Sequence, residues 1–220
     1  MQTRTPLRPW LAAALLAAGL MGATSAVAQD RAGDFDFYLL SLSWSPSYCA
    51  SENARPNSRQ CAGYRPYAFV VHGLWPQYER GYPENCTTNK PVPTLRDVDG
   101  MLDLMPDAGL ILHEWSRHGT CSGLDGTSYL DTVRTARAKV AVPAAFDAPS
   151  TYLTIAPDDL ERAFLKANPG LKPEGIAVTC DGRRLSEVRI CMTRDLAFRS
   201  CPDVDRRGCR SDKVVMPPVR

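Results

Sequence analysis

The chain has 220 residues, a formal net charge of +2, 44% hydrophobic side chains and 23% charged ones. This ordinary globular composition excludes collagen-like, coiled-coil and disordered chains and leaves one domain, or at most two small ones. Eighteen prolines and fifteen glycines point to many turns and long ordered loops.

Residues 1–28 read as a secretory signal peptide. Arg4 and Arg8 precede the apolar run Trp10–Gly22, and small residues follow, ending in Ala26-Val27-Ala28. The run is too short for a transmembrane helix, and no later stretch is apolar enough to span a bilayer. Cleavage after Ala28 leaves residues 29–220 as a single domain, exported to the periplasm or the medium. It removes two arginines and no acid, so the mature chain carries no net charge. That argues against a protein that coats nucleic acid by bulk electrostatics and leaves room for a local phosphate site.

Phe35–Trp44 is rich in aromatic and large apolar residues and is stopped by Pro46, which predicts a buried strand. The polar segment 51–66 reads as a loop. Tyr67–Leu74 predicts a second buried strand with His72 near its end, followed by a long proline-rich loop over 75–93. A helical stretch begins at Thr94, with Leu95, Val98, Leu102 and Met105 at helical spacing and Pro106 as the stop. Leu110–Cys121 reads as a second helix, stopped by Gly119, and Ser128–Val142 as a third, with Tyr129, Val133, Ala136 and Val140 on one face. Pro157–Ala167 reads as a fourth, with proline in its first turn. The period then shortens. Ile176–Cys180 and Leu185–Met192 predict strands joined by the turn Asp181-Gly182, and Lys213–Met216 a short edge strand. The order implies an α+β fold with a mixed or antiparallel sheet.

All eight cysteines lie beyond the signal: Cys49, Cys61, Cys86, Cys121, Cys180, Cys191, Cys201 and Cys209. Export and even parity predict four disulfides, with the pairing open on spacing alone. No two cysteines show the close spacing of a zinc ribbon.

The chain has three histidines, His72, His113 and His118. On a helix at about 100° per residue, His113 neighbours Arg117 and Glu114 neighbours His118, while Trp115 points away as an anchor. One side of a short helix is therefore expected to carry two imidazoles, a carboxylate and a guanidinium. A zinc peptidase helix needs its second histidine four residues after the first, where Arg117 stands and would repel the metal. Without a metal, two imidazoles serve as base and acid at mild pH. An arginine offsets charge on a phosphorane-like transition state. The combination suits phosphodiester cleavage by a neighbouring 2′-hydroxyl, which RNA supplies and DNA does not, with no cofactor. Trp75, Tyr78 and Tyr82 near His72 are candidates for stacking on single-stranded bases.

The segments HGLWPQY (72–78) and HEWSRHGTC (113–121), with the opening FDFYLLSLSWSPSYC (35–49), resemble the ribonuclease T2 family across nearly the whole mature chain. The resemblance implies an α+β fold with helices on a mainly antiparallel sheet. It implies endonucleolytic cleavage of single-stranded RNA through a 2′,3′-cyclic phosphate to 3′-phosphate ends. It makes His118 the base, His72 the acid, His113 a phosphate contact, and Glu114 and Arg117 stabilisers of the transition state. Trp75 and Gln77 then belong to the upstream base site, and Ser43 stands at the downstream one, where some members place a base-reading glutamine. Family members more often carry lysine where Arg117 stands. The family pattern also implies the pairs Cys49–Cys61, Cys86–Cys121, Cys180–Cys209 and Cys191–Cys201. A monomer acting on RNA is expected. The competing readings are a catalytically silent secreted binding protein on the same fold, disfavoured by the presence of both His72 and His118, and a metal-dependent hydrolase, which chelation would inactivate.

Overall fold

The structure, a computed structural model, describes residues 1–2, 30–63 and 65–220. Apart from Met1 and Gln2, the expected signal peptide lies outside the described residues. Among the described residues six strands build one sheet: β1 (Phe37–Trp44), β2 (Phe69–Gln77), β3 (Leu153–Ile155), β4 (Ile176–Asp181), β5 (Arg184–Met192) and β6 (Val214–Met216). Their order is β2-β1-β5-β6-β3, with β4 on the other edge of β5. Every pair is antiparallel except β5–β6, which bears out the α+β expectation.

Period-2 alternation divides the sheet into two faces. Leu40 and Leu42 of β1, Val71 and Leu74 of β2, Val178 of β4 and Val188 and Ile190 of β5 are buried in the main core. Helices α2 (Leu95–Met101), α3 (Ala108–Arg117), α4 (Gly126–Ala138) and α5 (Pro157–Ala167) cover that face with Val98, Ile111, Trp115, Val133, Leu160 and Phe164, among others. The opposite face holds a smaller cluster of Phe37, Leu39, Ala177, Cys191, Cys201 and Val204, against which Trp75 packs. Two short helices, α1 (Ser45–Cys49) and α6 (Pro202–Asp205), complete the described architecture. Among the described residues no helix is long and apolar enough to cross a membrane.

Helix starts follow capping chemistry. Thr94 and Asp97 form a reciprocal capping box on α2, Asp107 accepts from the Leu110 N–H on α3, and Asp125 accepts from the Ser128 N–H on α4. Several boundaries differ from those the sequence leads one to expect. Helix α2 ends at Met101 and leaves Leu95 exposed, because the capping box turns the first residue outward. Helix α4 runs from Gly126 to Ala138 rather than from Ser128 to Val142. Helix α3 starts at Ala108, two residues before the expected Leu110, and ends at Arg117 just ahead of the expected stop at Gly119, where a 3₁₀ turn takes over at Gly119–Ser122. Strand β2 continues through Gln77 into the expected loop, because Trp75 and Gln77 still pair with Leu39 and Phe37.

The four disulfides are Cys49–Cys61, Cys86–Cys121, Cys180–Cys209 and Cys191–Cys201, the pairing implied by the resemblance.

Candidate active site

The site is built on the second face of the sheet, where β2, β1 and β5 lie side by side. In the β1–β2 ladder Ser41 pairs with Gly73 and Leu42 with Val71, so His72 is the extra residue of a β-bulge. The bulge shifts the alternation by one. Val71 and Leu74 both stay in the main core, while His72 and Trp75 both turn to the other face. On β1 this face carries Ser41 and Ser43, whose partners on β5 are Arg189 and Glu187. The small serines leave a lane across β1, through which the long side chains of β5 reach those of β2.

His72 Nδ1 lies 2.5 Å from Oε1 of Glu187, and its Nε2 lies 3.7 Å from Oε1 of Glu114. Arg189 holds the other oxygen of Glu187 through Nε at 2.9 Å and Nη2 at 2.7 Å. Burial works against a charge on His72. The hydrogen bond and charge of Glu187, with the charge of Glu114, outweigh it and hold the imidazole pKa above 6.5. Burial likewise favours a neutral Glu187, but His72 and Arg189 prevail and hold its carboxyl at about 2.

His118 caps the end of α3 and is buried, with Nδ1 lacking a partner among the described residues. Burial, then the charges of Arg117, His113 and His72, push its pKa down to about 4. Gly119 lets the chain turn there. A Cβ at that position would stand 2.5 Å from the Trp115 ring and 2.9 Å from the Tyr129 ring. Close packing of Gly119 between Trp115 of α3 and Tyr129 of α4 therefore seats the end of α3, and His118 with it.

Trp75 lies between the two histidines, its ring centroid 5.2 Å from His72 and 5.4 Å from His118. Its Nε1 donates to Oε2 of Glu114 at 2.6 Å, and the Arg189 guanidinium sits over its ring at 5.4 Å. Burial raises the pKa of Glu114, opposed by His72, the Trp75 hydrogen bond and His113.

Two depressions flank this centre. One, of about 360 Å³, is lined by Trp75, Gln77, Tyr82, Arg117, His118 and Arg189. The other, of about 600 Å³, is lined by Ser43, Tyr48, Asn53, Gln60, His72 and His113, among others. His113 is exposed at its wall, whereas Glu114 is buried, so the expected single polar helix side is divided between surface and interior. Tyr78 lines neither depression. Its hydroxyl is 3.4 Å from Asp30, and the tight turn to Gly81 carries it away.

Arg117 lines the smaller depression and pairs with Glu84 at 2.6 Å. The same loop is stitched to the end of α3 by the Asn85 N–H on the Arg117 carbonyl and by Cys86–Cys121.

Glu187 and Arg189 join the site without belonging to either histidine segment, and the sequence carries one signal for them. In Glu187-Val188-Arg189-Ile190 two charges alternate with apolar residues on a strand that later proves central. Charges on such a face must find partners.

The sequence matches the Ribonuclease T2 family over residues 35–201. It is 43% identical over 118 residues to a ribonuclease of Aeromonas hydrophila, a match spanning 54% of this chain and 47% of that protein. It is 29% identical over 216 residues to ribonuclease DdI of Dictyostelium discoideum, covering 90% and 92% of the two chains. Among solved structures, RNase NT in complex with 5′-AMP superposes with a TM-score of 0.64 at 25% identity, covering 84% of this chain and 99% of that one. With two histidines framing a tryptophan on one face of such a sheet, and with the family pattern running through both segments that carry them, this chain belongs to the Ribonuclease T2 family.

Proposed function

We propose that the protein is a metal-independent endoribonuclease that cleaves single-stranded RNA by transphosphorylation. The observation that carries this reading is the opposed bias of two imidazoles on either side of Trp75, one held above the ordinary histidine pKa and the other pushed to about 4. Over the pH range between them, His118 is neutral and His72 protonated, which is what a base and an acid require.

In the first step His118 takes the proton of the 2′-hydroxyl, the 2′-oxygen bonds to phosphorus, and the bond from phosphorus to the 5′-oxygen breaks. His72 gives its proton to that leaving oxygen. In the second step the roles reverse: His72 takes a proton from water, which opens the 2′,3′-cyclic phosphate, and His118 returns a proton to the 2′-oxygen. A 3′-phosphate end results. His113 contacts the phosphate from the cleft wall. Arg117 and Glu114 stabilise the developing charge. Trp75, Gln77 and Tyr82 take the upstream base in the smaller depression, and Ser43 borders the downstream base in the larger one. The 5′-AMP bound by the solved relative supports a nucleotide in such a pocket.

The protein acts as a monomer, with residues 1–28 as signal peptide and 29–220 as one catalytic domain. It works in the periplasm or the medium, where four disulfides persist. Incubation with dinucleoside monophosphates in the presence of EDTA tests the proposal. The expected products are a 2′,3′-cyclic phosphate and then a 3′-phosphate. Inactivation by EDTA, 5′-phosphate ends or equal cleavage of DNA would overturn it.

A further inference from the structure

The geometry points to Glu187, backed by Arg189, as the positioning residue that fixes the tautomer and charge of His72 from across the same face of the sheet. The inference rests on the acid role proposed above for His72. Glu187 is 7% exposed and sits two strands away from His72, reaching it across the serine lane of β1. One carboxylate oxygen faces His72 Nδ1 at 2.5 Å, and the other takes both Nε and Nη2 of Arg189.

A carboxylate that a guanidinium holds ionised accepts hydrogen bonds and donates none. The 2.5 Å contact therefore requires a proton on His72 Nδ1 in both charge states of the ring. The titrating nitrogen is then Nε2, the one nearer Glu114. Whenever the ring is charged, Nε2 carries the proton that can be given to a leaving oxygen. When the ring is neutral, Nε2 presents a lone pair ready to take the proton of water. The orientation of the ring needs no substrate, because both ends of the Glu187 carboxylate are already engaged. Arg189 also lies over Trp75, so one buried pair supports the acid and the aromatic surface beside it.

Other charges surround His72 and set the baseline. Glu114 and His113 face it from α3, Arg55 and Asp107 lie along the larger depression, and Asp181 and Arg184 stand at the β4–β5 turn. Glu187 makes the closest contact of these, and Arg189 opposes the imidazolium directly.

Nuclear magnetic resonance of ¹⁵N-histidine in the unaltered protein gives the first test. Above its pKa, neutral His72 is expected as the Nδ1–H tautomer; an Nε2–H tautomer would overturn the proposal without any variant being made. The second test uses charge. Glu187→Gln keeps an acceptor and removes the charge, so the His72 pKa should fall by about one unit or more. The alkaline limb of kcat/KM should move with it, while the acidic limb set by His118 stays. Arg189→Gln should move the same alkaline limb upward. A scaffold role alone gives no opposed shifts, so two unmoved limbs overturn the proposal. His72→Phe separates this from the parent reading. An inactive His72→Phe with an unmoved His72 titration in Glu187→Gln rejects the role of Glu187 and keeps the ribonuclease mechanism. An active His72→Phe rejects the acid itself, and with it the need for a positioning residue.

Discussion

The indole Nε1 of Trp75 donates to Oε2 of Glu114 directly over the Cα of Gly73. A Cβ on Gly73 would stand 2.2 Å from that oxygen and 2.3 Å from that nitrogen. Gly73→Ala is therefore expected to break the bond and displace Trp75 from between the histidines. It should lower stability by about 1–3 kcal/mol and activity by more than that loss explains. Trp75→Phe keeps a stacking ring without the donor and should retain more affinity for a dinucleotide than Trp75→Ala, which loses about 1–3 kcal/mol if a base stacks there. Denaturant titration and steady-state kinetics measure these effects. Equal KM values for Phe and Ala at position 75 would remove the base from this pocket.

The two histidines predict a bell-shaped kcat/KM. His118 must be neutral, so the acidic limb falls at about 4. His72 must be charged, so the alkaline limb lies above 6.5. Replacing either with phenylalanine should cost roughly 10²–10⁴-fold in rate while leaving the fold intact. A dinucleotide assay over about pH 3 to 9, with circular dichroism on the variants, checks both statements. A His118→Phe protein with normal turnover would remove the base assignment.

Glu161 lies far from this chemistry and predicts a separate effect on stability. Its Oε1 accepts from the Val178 N–H at 2.8 Å. Burial, with Asp205 and Asp158 nearby, raises its pKa from 4.5 to about 7. Between those values the folded chain holds a proton that the unfolded chain has released, so stability declines as pH rises through the window. Glu161→Gln keeps the acceptor and removes that cost. It should stabilise the protein by roughly 1 kcal/mol at neutral to mildly alkaline pH, after allowance for solvent screening, and leave stability below pH 4.5 unchanged. Denaturant curves in acidic and neutral buffer decide this, since an equal gain in both contradicts the titration.

Arg117 is tied to Glu84 while lining the pocket of His118. If the guanidinium acts in the transition state, Arg117→Met should lose about 2–4 kcal/mol, mostly in kcat. Arg117→Lys should keep much of the activity, since an ammonium commonly occupies this place in the family. Glu84→Gln, which only removes the tether, should lose less than Arg117→Met. A partly exposed ion pair is worth under about 1 kcal/mol. Small and equal losses in Arg117→Met and Glu84→Gln would reduce the arginine to that pair.

The sequence by itself determined the core and much of the site. The aromatic and apolar run ending at Trp44, helical spacing at Tyr129, Val133 and Ala136, and proline at the start of α5 are local signals, and each appears in the fold. The two histidine segments are legible because most residues of the candidate site lie close together in sequence within them. Only the tertiary structure decided how those segments meet. The bulge at His72 depends on pairing with β1, and the end of α3 at Arg117 depends on Gly119 fitting against Trp115 and Tyr129. Tyr78, near His72 in sequence, is carried away by its turn, whereas Glu187, 115 residues distant, lies against the ring. Local propensity reports which face a residue takes on its own strand. Which strand lies beside it, and so which charge meets which imidazole, is set by sheet order and register, which exist only once the chain has folded.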